Sequence, residues 1–134
     1  MFKLIKILNS GINVPEVVKL KASTSKSYVA GEALVLSSGI AVSAGATTKP
    51  TFIAAASAPK GTAEIAAYPI SADMIFECTV SAAPTSLSRG SVVTLKLDTD
   101  SRAVGVSATT ENGVATIYDT LNAKAAGDKL LVRF

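Results

Sequence analysis

The residues best equipped for chemistry are Asp98, Asp100 and Arg102, which fall within five consecutive positions. Acids at the first and third places of such a run suggest a calcium loop. Arg102 takes the fifth place, and neither the glycine nor the bidentate glutamate of an EF-hand follows, so that motif is excluded. Two readings stay open here: an irregular calcium site, or a hairpin turn whose aspartates accept backbone N–H groups. Glu64, Asp73 and Glu77 are further acids near predicted strands. Nothing in their spacing sets two carboxylates across a cleft, as glycoside hydrolysis requires. The chain has no histidine, which removes the commonest general base, most zinc sites and the histidine-activated serine or cysteine nucleophiles. Its nine glycines are scattered through turns, without a phosphate-cradling motif. Cys78 stands alone in the apolar run 74–80 and reads as a small buried hydrophobe. A single cysteine makes no internal disulfide. Neither an enzyme nor a cofactor is expected.

The elements that would position any site are short strands. Ala33 to Ser37 and Ile40 to Ser43 flank a Ser-Ser-Gly turn, a short-hairpin signature. Thr51 to Ser57, a turn at Pro59 to Gly61, and Thr62 to Tyr68 make a second hairpin, which Pro69 ends or confines to an edge. Asp73 to Val80, Val92 to Leu97, Ala103 to Thr109, Val114 to Tyr118 and Leu130 to Phe134 complete the strands. Asn112 and Gly113 are expected to supply the two positive-φ positions of a type I′ turn. Asp119 to Ala126 is the one stretch with room for a helix, with Asp119 as its N-cap and Gly127 beyond its end. A glycine-then-strand phrase at Gly31 returns at Gly90 and Gly127, through pseudo-symmetric halves or through shared turn chemistry alone. The fold class is therefore all-β, a small barrel or sandwich of short antiparallel strands with at most one short helix. Hydrophobic residues make up 49% of 134 residues and charged ones 17%, which suits one globular domain.

The front of the chain differs from the body. Residues 1–30 hold five lysines against Glu16 alone, and the remainder is close to neutral. Such a segment suits an acidic surface. It lacks arginine and interleaved aromatic residues, so nucleic acid is not the expected partner. In residues 2–8, Lys3 and Lys6 fall on opposite faces of a period-two pattern. That strand is expected to bury neither face cleanly and to pair along an edge, that of its own sheet or that of another chain. The loop from Asn9 to Pro15, the run Val17 to Lys21 and the polar stretch 23–27 complete what is read as an extended N-terminal arm, 1–27, ahead of a body at 28–134. The alternative is an ordinary first strand and loop. The apolar start is too short for a signal peptide, and no stretch approaches a membrane span, so synthesis in the cytoplasm and no membrane partner are expected.

The layout of the body resembles the head decoration, or capsid cement, proteins of tailed bacteriophages. The resemblance is carried by the Leu34–Leu36 to Ile40–Val42 hairpin, the run Phe52 to Ser57, the Pro59–Gly61 turn into the Tyr68 strand, and Ile75 to Glu77. The stretch from Val93 to Arg102 adds to it. It covers most of residues 28–134, and the lysine-rich segment from Phe2 to Lys26 departs from it. It implies a structural virion protein on the outer capsid surface, a homo-oligomer (trimer favoured) that stabilises the shell by binding the major capsid protein. It also implies an arm that pairs with capsid strands by β-augmentation. Phe2, Leu4, Ile5 and Ile7 would then give side-chain specificity, while Lys3, Lys6, Lys19 and Lys21 would meet acidic capsid surface. Another virion part (tail, spike or fibre subunit) and a glycan-binding β-sandwich are the alternatives. The latter is disfavoured by the absence of tryptophan and the presence of only three tyrosines.

Overall fold

A computed structural model describes residues 1–8 and 15–134. The loop expected at 9–15 lies, up to residue 14, outside the described residues. The described chain is all-β and sandwich-like, built of two antiparallel sheets, neither closed into a barrel. The first sheet has the order β1 (Lys3–Ile7), β7 (Met74–Thr79), β12 (Lys129–Arg133), β11 (Ala115–Asp119), β8 (Val92–Val93). The second runs β2 (Val18–Lys21), β6 (Glu64–Pro69), β5 (Phe52–Ala54), β3 (Ala33–Ser37), β10 (Ala103–Val106), β9 (Leu95–Leu97), and β4 (Ile40–Ser43) also pairs with β3.

Side-chain alternation explains the layering. In β12, Leu130 and Val132 are fully buried, while Lys129 and Arg133 face solvent. Phe76 and Cys78 of β7 and Ile117 of β11 join them, and Ile53, Ala103 and Val106 meet them from the second sheet. The second sheet also buries its far face. Ala33 and Leu34 are adjacent and both 0% exposed, yet they belong to different apolar clusters. Leu34, Ala41, Ala54, Ile65 and Ala67 form that second cluster with Tyr28. In this cluster Ala22 makes an isolated parallel bridge to Ala41.

The β3–β4 hairpin forms as expected, and the type I′ pattern of two positive φ values sits there, at Ser38 (49°) and Gly39 (77°). The β5–β6 hairpin also forms, and β6 ends at Pro69. Asn112 and Gly113 depart from expectation. Only Asn112 has positive φ (54°), and β10 and β11 lie in different sheets. The dipeptide turns the chain between layers instead of closing a hairpin. The run Val92 to Leu97 likewise splits at Thr94: Val92 and Val93 pair with β11, and Leu95 to Leu97 pair with β10.

No helix forms among the described residues. Over the stretch expected to be helical, Asp119 ends β11 and its carboxylate accepts the Leu121 N–H at 2.9 Å. Leu121 and Asn122 have positive φ, and the Asp128 carboxylate accepts the N–H groups of Lys124 and Ala125. Aspartate side chains take the donors that a helix would have used, so turns replace it. Gly31, Gly90 and Gly127 all have positive φ and each lies two residues before a strand. The echoed phrase is therefore turn chemistry, since the strands that follow it occupy dissimilar places in the two sheets.

Candidate functional site

The candidate residues at the front of the chain fall on two sheet edges. Among the described residues, β1 is the outer strand of the first sheet and pairs antiparallel with β7, and β2 is the outer strand of the second and pairs with β6. The period-two argument for β1 fails for a specific reason. Its register shifts between Leu4, opposite Phe76, and Lys6, opposite Ile75, leaving an extra residue in β1. The bulge lets Leu4 and Ile7, three positions apart, both pack on the main core. Lys3, Ile5 and Lys6 are exposed. A strand that seemed unable to bury either face thus buries one.

Phe2 is part of the core, 3% exposed, with its ring edge-on to Phe134 at 5.3 Å between centroids. Its N–H donates to the Gly31 carbonyl at 2.9 Å. Phe2 therefore has a structural role in the core. Ile5, 47% exposed, is the large apolar side chain that β1 offers outward. Lys3 lies opposite Glu77, whose carboxylate takes a 2.7 Å contact from Lys129 Nζ. The hydrogen bond from Lys129, with its charge and that of Lys3, holds the Glu77 carboxyl below the usual carboxylate range against a smaller opposing effect of burial. On β2, Lys19 and Lys21 are exposed, and Lys19 Nζ stands 3.9 Å from Glu64 Oε2. An exposed pair at that distance is worth about 0–1 kcal/mol. A groove of about 600 Å³ runs beside β1, lined by Leu4 to Ile7, Pro15 and Tyr68.

The remaining candidates do not converge. The Asp98 to Arg102 segment is a closed turn: Asp98 Oδ1 accepts the N–H groups of Asp100 and Arg102, each at 2.9 Å. Arg102 Nε donates to Asp98 Oδ2 at 2.8 Å and its Nη2 to Asp100 Oδ2 at 2.6 Å. Burial pushes the Asp98 carboxyl up, but the hydrogen bonds from Arg102 and Asp100 outweigh it and hold the group below its ordinary value. Among the described residues, no group of three or more metal-ligating side chains comes together. Glu64 and Glu77 pair with lysines on different sheets. Burial pushes the Cys78 thiol up to about 12. Cys78 should therefore resist alkylation in the native protein and react once the chain is denatured; mass spectrometry after a short iodoacetamide pulse checks this.

Sequence reasoning missed Glu32, a carboxyl 2% exposed. An acid at the start of an apolar strand gives no local sign of burial, because its cover comes from residues distant in sequence. Tyr28 was also hidden. It is 2% exposed, and its hydroxyl accepts the Ser23 N–H and donates to the Ala41 carbonyl, which ties the polar 23–27 stretch to the second cluster.

Fold and edge together define a two-sheet, all-β domain with a bulged outer strand that shows lysines and one isoleucine to solvent. No protein-family model matches the chain, and a search of curated proteins finds no significant match.

Proposed function

We propose that this protein is a structural component of a bacteriophage virion, decorating and stabilising the outer capsid surface. β1 anchors it by adding its outer edge to a strand of the major capsid protein, and several copies (a trimer favoured) act together on the shell. The observation that carries this reading is the outer position of β1, with Ile5 exposed between Lys3 and Lys6. Main-chain hydrogen bonds would supply generic affinity, and Ile5 a side-chain anchor. The lysines would steer the approach to an acidic shell. Repetition over symmetric sites makes a modest single-site energy effective for the whole particle.

The test is co-sedimentation with capsids that lack the protein, using wild type and an Ile5→Asp/Lys6→Glu variant. Both positions are exposed, so the variant should keep the wild-type melting temperature. Wild type should bind saturably at a fixed ratio to the major capsid protein, and the variant should lose at least about tenfold in affinity, on the order of 1.4 kcal/mol. Full binding by the variant would move the contact away from β1. No binding by wild type would remove the decoration reading.

A further inference from the structure

The two sheets end unequally on the side of β1. Among the described residues the first sheet stops at β1, while the second continues past β6 to β2. Leu4 and Tyr68 line both the groove beside β1 and a second hollow of about 310 Å³, which Met1, Ala54 and Ala55 also border. The two hollows follow β1 from Met1 to Ile7, with Tyr68 of β6 common to both. β1 spans five residues, about 17 Å of extended chain. An open sheet edge of that length accepts one added strand.

Register fixes which side chains face this space. Residues directly opposite in an antiparallel pair share a face of the sheet. Val18 lies opposite Ala67 and Leu20 opposite Ile65, and all four belong to the second apolar cluster. Lys19, opposite Ala66, and Lys21, opposite Glu64, therefore project from the other face. That face is the one from which Tyr68 packs on the main core. On the facing sheet, the β1 bulge leaves Lys3, Ile5 and Lys6 exposed. The groove thus has an apolar floor of Leu4, Ile7 and Tyr68, with lysines on both rims. The acids of the β2 and β6 stretches are Glu16 and Glu64, and the contact of Glu64 with Lys19 is loose at 3.9 Å. Glu77, beside Lys3, is already held by Lys129.

We propose that this groove takes one extended, acidic segment of a partner protein, paired along the outer edge of β1. Apolar side chains on the inward side of that segment rest on Leu4 and Tyr68. Its carboxylates meet Lys3 and Lys6 on one rim and Lys19 and Lys21 on the other. The assignment rests on the reading that β1 joins a partner strand, and adds to it the composition of that strand and the second sheet's part in selecting it. A second copy of this chain fits the groove poorly. Pairing two β1 edges brings the lysines of both copies together, the arrangement by which edge strands avoid self-association.

The probe is an acetylated, amidated octapeptide alternating valine with glutamate, titrated into the ¹⁵N-labelled chain and followed by amide NMR. A valine–lysine octapeptide is its counterpart. The acidic peptide should shift the amides of Ile5, Lys6, Ala66 and Tyr68, and the basic one should bind at least about tenfold more weakly. Lys19→Glu/Lys21→Glu should weaken binding of the acidic peptide by about fivefold or more. Lys124→Glu/Arg133→Glu makes the same change in net charge outside the groove and should leave that affinity within about twofold. All four positions are exposed, so both variants should stay folded. Absence of shifts on β1 and β6 overturns the proposal, as do equal affinities for the two peptides or equal losses in the two variants. A dimer of the protein alone, seen by analytical ultracentrifugation and lost in Ile5→Asp/Lys6→Glu, assigns the edge to a second copy and overturns it too. Capsid co-sedimentation separates this inference from the decoration reading. Full binding by Lys19→Glu/Lys21→Glu where Ile5→Asp/Lys6→Glu fails discards the groove and keeps decoration. Peptide binding without capsid binding keeps the groove and discards decoration.

Discussion

Replacing Phe2 with alanine should lower the unfolding free energy by about 3–5 kcal/mol, the usual cost of truncating a buried phenylalanine. The ring is 3% exposed and fills space against Phe134, which in turn lies 5.7 Å from Phe76. Phe76 is fully buried at the middle of the main core. Removing the first ring therefore opens a cavity at the end of an aromatic row, and the edge-to-face contact is lost with it. Urea denaturation followed by circular dichroism reads the effect. A midpoint matching wild type would show that the Phe2 ring adds nothing to the core. Truncation carries the same cost in larger measure. Deleting residues 2–8 strips Phe2, Leu4 and Ile7 from the core together, so such a protein should be unstable before any question of binding arises. The Ile5→Asp/Lys6→Glu variant separates the two roles, because its substitutions fall on the exposed side of the same strand.

That division of labour within one five-residue strand was only partly legible in the sequence. The expected edge position matches the structure, although the poor alternation it was argued from does not survive the bulge. The bulge was not, because it is set by how β1 meets Phe76 and Ile75 of β7, about seventy residues away. Without it, Lys3 and Lys6 stand on opposite faces; with it, both stand outside. The turns encoded locally were the most legible features. Ser38 and Gly39 close β3 onto β4, and the Asp98 carboxylate takes the backbone N–H groups of its own turn. Layer assignment was the least legible. The run from Val92 to Leu97 is continuous in sequence, yet it changes sheets at Thr94, whose N–H donates to Thr109 and whose carbonyl accepts from Ser107. No residue-level pattern marks that exchange. Glu32 was hidden for the same reason, since Ser43 and the Asp98–Arg102 turn reach it only through pairing of β3 with β4 and β10.

Gly113→Ala brings the local and the layer-level readings into direct competition. The sequence alone gives a conformational reason for the glycine, a left-handed turn position, and alanine there costs about 1–2 kcal/mol. The structure gives a steric reason instead. Gly113 is outside the left-handed region, and an added Cβ would stand 2.6 Å from both the carbonyl carbon and oxygen of Val92 and 2.7 Å from the Val93 nitrogen. Those atoms are backbone and are fixed in place. Val93 pairs with Ala115, and its carbonyl accepts the Val114 N–H at 2.9 Å. β8 cannot retreat without giving up its pairing with β11, so overpacking of about 1–3 kcal/mol, or partial loss of β8, should follow. Gly39→Ala is the control. Gly39 has φ 77° and open space where a Cβ would go, so it carries the conformational cost alone. Thermal denaturation of the two variants, with amide exchange at Val114, should show Gly113→Ala the less stable and selectively deprotected beside β8. Equal losses with protection intact at Val114 would restore the turn explanation and discard the steric one.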